Sequence, residues 1–191
     1  MQKIVTTTRL RKKSNIACLL PAQWHKACLA CMVSAFMLVS GCSNIECPLD
    51  NIVVMTCGLY SAESHEPLKL QATLNVKPAG RDTVLLNQAS DIKDFLLPLR
   101  QATPADTFLL HFSDNAGRVG TDTLFVEHVN TPHYESIECP ATVFHTLTQV
   151  RWNRQTSSQF PLTIDSVALV RTAVNYDDIE NIRIYLRTVA P

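Results

Sequence analysis

Beyond residue 50, apolar and polar positions alternate with a period of two over much of the chain. Leu68, Leu70, Ala72, Leu74 and Val76 alternate with Lys69, Gln71, Thr73, Asn75 and Lys77, the pattern of a strand with one buried face. A second run covers 51–60, with Val53, Met55, Cys57 and Leu59 on one side. The runs 106–112 and 121–129 flank Asp114-Asn-Ala-Gly117, a turn-forming string, and so predict a hairpin with a longer loop. Further strands are predicted over 142–152, 162–170 and 179–187. In the last of these Ile182, Ile184 and Leu186 face inward while Arg183, Tyr185 and Arg187 face out. Two shorter candidates are 82–86 and 95–100. No stretch carries a helical stripe over three turns. The spacing predicts an all-β domain, an antiparallel β-sandwich or barrel-like fold, over 51–191.

The first 41 residues follow a different pattern. Lys3, Arg9, Arg11, Lys12, Lys13 and Lys26 lie in a segment without a single Asp or Glu, and an apolar run occupies 27–39. A basic, acid-free leader followed by a short apolar segment predicts a helical secretory signal, too short to span a bilayer. Leu38-Val39-Ser40-Gly41-Cys42 has the form of a lipobox: apolar residues, two small residues, then cysteine. Small side chains let a peptidase reach the backbone, and the Cys42 thiol accepts a lipid. The expected organisation is a cleaved signal at 1–41, a lipidated N-terminus and short tether at 42–50, and one domain at 51–191. Several acyl chains on one residue suit stable anchoring. The Cys28-Leu-Ala-Cys31 pair resembles a redox or metal motif, but it lies inside the leader and is discarded with it.

Composition narrows the function classes. The full chain balances 17 basic against 17 acidic residues. From Cys42 onward 11 Lys and Arg face all 17 acids, a net charge of −6. That acidity argues against nucleic acid as a partner and against a basic membrane-binding face. Glycine is too scarce for a phosphate-binding loop, and no cofactor motif is present.

Three cysteines remain after Cys42 in an oxidising compartment. Cys57 shares a strand face with Val53, Met55 and Leu59, which suits a buried small hydrophobe. Cys47 and Cys139 each precede proline, so both occupy extended or turn segments. This points to a Cys47–Cys139 disulfide; the alternative is three free thiols.

Candidate chemistry is thin. His128, His133 and His145 lie near Glu127, Glu135 and Glu138, and imidazole with carboxylate suits zinc. However, His128 and His133 span a strand end at Pro132, and His145 shares a face with Val143 and Leu147, where a hydrogen-bonded core histidine is the default. Asp177, Asp178 and Glu180 offer oxygens to calcium but lack the alternating acids and central glycine of a calcium loop. A turn is the simpler reading, with Asn175 or Asp177 holding backbone donors. No metal site is expected; the weak candidates are His128, His133, Asp177 and Glu180. There is no Gly-x-Ser-x-Gly string, and Ser166 lies mid-strand.

The strings Cys47-Pro-Leu-Asp-Asn51, Pro104-Ala-Asp-Thr107 and Asp122-Thr-Leu-Phe-Val-Glu-His-Val-Asn-Thr-Pro-His133 carry a resemblance. So do Ser136-Ile-Glu-Cys139, Phe144-His145 and Val174-Asn-Tyr-Asp-Asp-Ile-Glu-Asn181. Together they resemble an uncharacterised family of Bacteroidetes envelope lipoproteins. The resemblance implies a β-rich domain and a Cys47–Cys139 pair, and it supplies no activity. In that phylum an acidic stretch after the lipidated cysteine favours surface export. Ser43-Asn-Ile-Glu46 holds one acid, which leans toward a periplasm-facing outer-membrane position.

The expected function is therefore a non-enzymatic, lipid-anchored envelope module that binds or scaffolds a protein or glycan, without a cofactor. The alternative is a hydrolase of envelope glycan or peptide, for which two of Asp177, Glu180, Glu127 and His133 must converge in a deep pocket.

Overall fold

The computed structural model describes Cys47, residues 52–154 and residues 160–189. All of them belong to one compact unit, 46–191. The leader, Cys42 and the rest of the tether lie outside the described residues.

Ten strands and no helix occur among the described residues. In chain order they are β1 (Met55–Ser61), β2 (Thr73–Pro78), β3 (Leu86–Ala89), β4 (Asp94–Leu97) and β5 (Ala105–Ser113). They continue with β6 (Val119–His133), β7 (Thr142–Arg154), β8 (Leu162–Leu169), β9 (Ala173–Val174) and β10 (Glu180–Thr188). One sheet has four strands in the order β4-β1-β10-β8, and the other has six in the order β3-β2-β5-β6-β7-β9. The domain is all-β and sandwich-like, as the alternation predicts.

The core forms where the inward faces meet. Met55, Cys57 and Leu59 from β1 and Ile182, Ile184 and Leu186 from β10 lie in the four-stranded layer. Phe108, Leu110 and Phe112 from β5 and Leu124 and Val126 from β6 lie in the six-stranded layer. The turn at 114–117 forms as predicted. Asp114 Oδ1 accepts the backbone N–H groups of Ala116 and Arg118 at 3.0 Å, and Gly117 takes the positive φ the turn requires.

Several expectations shift in detail. The alternating run 68–77 is not one strand. Leu68 donates its N–H to Leu59 and Leu70 to Ile92, beside the four-stranded sheet, while Thr73–Pro78 pairs with β5 in the other. The chain crosses between sheets near Ala72. Alternation persists because both segments bury the same parity against a shared core. The candidate strand at 82–86 forms later, as β3. Pairing is antiparallel throughout except for β1 and β10, which run parallel. Alternation sets which face is buried, not which strand is the neighbour.

Cys47 and Cys139 are disulfide-bonded, with Cα atoms 5.5 Å apart. Cys57 is a free, buried thiol whose burial, followed by the Glu180 carboxylate, pushes its pKa well up.

Three buried polar side chains tie the structure together, Asp106 and Asp122 from positions that parity assigns to the core and Asn181 from the start of β10, where parity assigns it outward. Asp122 on β6 reaches across to β8, accepting the Ile164 N–H at 2.6 Å and the Thr163 hydroxyl at 2.9 Å. Asn181 on β10 accepts the Thr56 N–H at 3.0 Å and donates to the carbonyls of Arg171 and Ala173. Asp106 on β5 is the third.

Candidate functional site

Asp106 precedes Phe108, Leu110 and Phe112 on the inward face of β5, so its carboxylate enters the core. Unpaired burial there is costly, and two neighbours, Arg100 and His128, relieve it. Arg100 supplies its Nε at 2.6 Å to Oδ1 and its backbone N–H at 2.9 Å to Oδ2. His128 Nε2 lies 3.0 Å from Oδ2. Beyond it, Asn130 Oδ1 sits 2.7 Å from Nδ1 of His128 and 2.7 Å from Nδ1 of His145. The two imidazoles meet edge to face with centroids 5.0 Å apart.

Hydrogen positions follow from donor accounting. Asn130 Nδ2 faces the carbonyl oxygens of Arg100, Gln101 and Thr103, which only accept, so the amide orientation is set. Its Oδ1 is then the acceptor, and both Nδ1 atoms carry hydrogen. His128 thus bridges the Asp106 carboxyl group and the Asn130 amide oxygen. His145 is pushed down to about 4 by burial and then by the neighbouring His128 charge, against an opposite pull from Asp106. It stays neutral, with its hydrogen on Nδ1. The network pins the β4–β5 connection to β6 and β7.

Chemically, the groups of this centre mostly satisfy one another and the backbone, and His128 has no solvent-exposed side-chain surface. Arg100 and Asp106 also line a cavity of about 250 Å³, together with Arg81 and Leu99.

The other candidate residues go separate ways. His133 stacks on Phe144 at 4.2 Å and meets the edge of Tyr176. Asp177 pairs with Arg171 at 2.7 Å, and Asn175 Oδ1 accepts the Asp177 N–H, the turn role the sequence suggests. Glu180 accepts from the Tyr60 hydroxyl at 2.9 Å and from Arg183 at 2.6 Å. Glu127 pairs with Arg151 on the outer face. Of these four, Glu127 and His133 share β6 with His128, but Glu127 pairs with Arg151 on the outer face and His133 stacks on Phe144 at the strand's end. Among the described residues no three His, Cys, Asp or Glu side chains converge as metal ligands.

A larger cavity, about 480 Å³, opens at the end of the sandwich where β10 finishes. Its walls come from 68–73, the β5–β6 turn, Phe160 to Leu162 and Thr188. Phe160 stacks on the core ring of Phe112, centroids 6.1 Å apart. The charged groups at the mouth are paired, Arg118 with Asp114 and Lys69 with Asp91. The size falls in the range of small-ligand sites, and Leu68, Leu70 and Phe160 make the lining largely apolar.

The model of a family of unknown function, DUF6452, matches residues 73–186. The chain belongs to this family. No curated protein and no solved structure matches it. The DUF6452 segment runs from the start of β2 to near the end of β10 and contains Arg100, Asp106, His128, Asn130 and His145. It leaves out β1, the strand between β4 and β10, and Cys47, while including Cys139.

Sequence reasoning found His128 and His145 and read the latter correctly as a hydrogen-bonded core histidine. It missed Asp106, Asn130, Asp122 and Asn181. The signal was present for Asp106 and Asp122, since each occupies an inward position in an otherwise apolar alternation.

Proposed function

We propose that this DUF6452 protein is a lipid-anchored protein of the bacterial envelope whose β domain binds a partner without catalysing a reaction. The observation that carries the second half is the spent state of its reactive groups. The acid, amide and imidazoles that gather are hydrogen-bonded to one another and to backbone, with the Asp106–Arg100 ion pair at the wall of the smaller cavity. The cavity of about 480 Å³ is lined largely by apolar side chains, with its charges paired. Such an arrangement holds a shape and offers a surface; it supplies neither an activated nucleophile nor an acid and base facing one space. The candidate acids of the hydrolase alternative are held in separate ion pairs, and none lines either cavity.

The first half rests on the leader and lipobox around Cys42, and on a disulfide suited to an oxidising compartment. Membership among Bacteroidetes envelope lipoproteins, facing the periplasm from the outer membrane, is part of the same reading. The partner is an envelope protein or glycan, and the net charge of −6 after Cys42 disfavours nucleic acid.

Metabolic labelling with a palmitate analogue tests the anchor. Label is expected on the wild type and lost in Cys42→Ala, with the domain released from membranes. Photo-crosslinking in living cells from Gln71 and Asn115, at the cavity mouth, tests the binding half. Absence of any protein or glycan adduct from both positions counts against it.

A further inference from the structure

The end of the domain that carries the tether is also where exposed apolar side chains gather. β1 and β10 run parallel and begin together at this end. Asn181, second in β10, donates to the carbonyl of Ala173 on β9, and β9 pairs with Thr146 near the start of β7. Tyr176 packs against His133, the last residue of β6, and against Phe144. The 134–141 connection that contains Cys139 therefore shares this end with residue 52 and with the turn before β10. Ile52 (69% exposed), Tyr134 (67%), Ile137 (104%) and Ile179 (54%) all project here. None is covered by the sandwich.

The tether indicates what covers them. Cys42 lies five residues before Cys47, a reach of at most about 18 Å when fully extended. Cys47 is bonded to Cys139, with 5.5 Å between their Cα atoms, and Ile137 is two residues away. A lipid on Cys42 thus keeps this end of the sandwich beside the bilayer. β10 carries the chain from here to the cavity end over nine residues, roughly 30 Å at strand rise.

We infer that Tyr134, Ile137, Ile52 and Ile179 form a membrane-contact surface, so that the domain stands on the bilayer with its strands pointing away from it. The tyrosine places a ring and a hydroxyl at headgroup depth, where such amphipathic side chains are favoured. The isoleucines enter the boundary below it. Glu135, Glu138 and Asp178 at the same end suit a zwitterionic surface and disfavour an anionic one. The cavity of about 480 Å³ then faces away from the membrane, open to soluble partners. This inference rests on the lipid anchor proposed above.

The test is spin-label depth in the full-length, lipidated protein reconstituted into phosphatidylcholine vesicles. Ile137→Cys and Val119→Cys each add one reactive thiol, since Cys57 is wholly buried and Cys47 and Cys139 are bonded. Val119 is exposed at the opposite end of β6. The label at 137 is expected to be relaxed by lipid-soluble oxygen in preference to a water-soluble nickel chelate, with the preference reversed at 119. If both positions respond alike to the chelate in protein that carries palmitate, the contact surface is overturned while the anchor stands. Dipolar broadening between labels at 137, with shielding from both reagents, would instead assign the surface to a second copy of the chain and likewise overturn the inference. If the wild type carries no palmitate, the anchor itself is wrong and the contact surface falls with it.

Discussion

Asp106 on β5 and His128 on β6 meet through Oδ2 and Nε2 at 3.0 Å, with both side chains almost wholly out of solvent. They are not register partners: Asp106 lies opposite Val126, so His128 is its diagonal neighbour on the inner face. The contact joins two adjacent strands beneath their own hydrogen-bond ladder. Arg100 closes it from the β4–β5 connection, and Asn130 extends it to β7.

Removing the carboxylate leaves the buried His128 Nε2 and the Arg100 guanidinium without their shared partner. Asp106→Ala is expected to cost about 3–5 kcal/mol, the range for breaking a buried ion pair from one side. Equilibrium denaturation in urea measures it. A loss below about 1 kcal/mol, the level of an exposed pair, would show that water replaces the carboxylate and that the centre is open.

His145 gives the network a pH signature. Its pKa is about 4 in the folded protein, below the ordinary histidine value of 6.5. Between those values the unfolded chain binds a proton that the folded protein does not, so stability falls as pH drops from 6.5 toward 4 and is unaffected above that window. The contribution is of order 2–3 kcal/mol by pH 4. His145→Gln keeps a donor for Asn130 and removes the titration. The difference in unfolding free energy between wild type and variant should therefore change across this window; a constant difference would contradict the assignment.

The layers were legible in the sequence because alternation reports burial directly. Met55, Cys57 and Leu59, or Ile182, Ile184 and Leu186, announce an inner face whatever strand lies beside them. The parallel β1–β10 pair was not legible, since its register is set by residues about 125 positions apart, such as Thr56 and Asn181. The crossing at Ala72 was hidden because both sheets bury the same parity of one continuous run. The buried centre was half legible. Two histidines stood out by chemistry, whereas Asp106 and Asn130 matter through neighbours that only the fold supplies.

The Cys47–Cys139 bond closes a loop of 92 positions and holds the segment before β1 to the β6–β7 connection. Its entropic contribution has a ceiling of roughly 4–5 kcal/mol. Cys47→Ser, Cys139→Ser and the double variant are expected to lower the thermal midpoint by the same amount, because each removes the one crosslink. A larger loss in the double variant would mean that the single variants re-pair through Cys57, which would require that thiol to leave the core.

Gly58 stands at the middle of β1, opposite Arg183 on β10. A Cβ there would collide with the Glu180 carboxylate and come within 2.8 Å of the Tyr60 ring. Glu180 occupies that space to accept the Tyr60 hydroxyl and the Arg183 guanidinium. Gly58→Ala must displace it, at a cost of about 1–3 kcal/mol, the usual range for overpacking a fitted site. The displacement has its own readout. Burial and then the hydrogen bond to Glu180 hold the Tyr60 phenol above its ordinary pKa. Losing that bond in Gly58→Ala should bring the phenol down, visible in the ultraviolet titration of tyrosinate. In a Glu180→Ala background the same substitution should cost less and leave the Tyr60 titration unmoved. An undiminished cost there would place the strain on the Tyr60 ring rather than on the carboxylate.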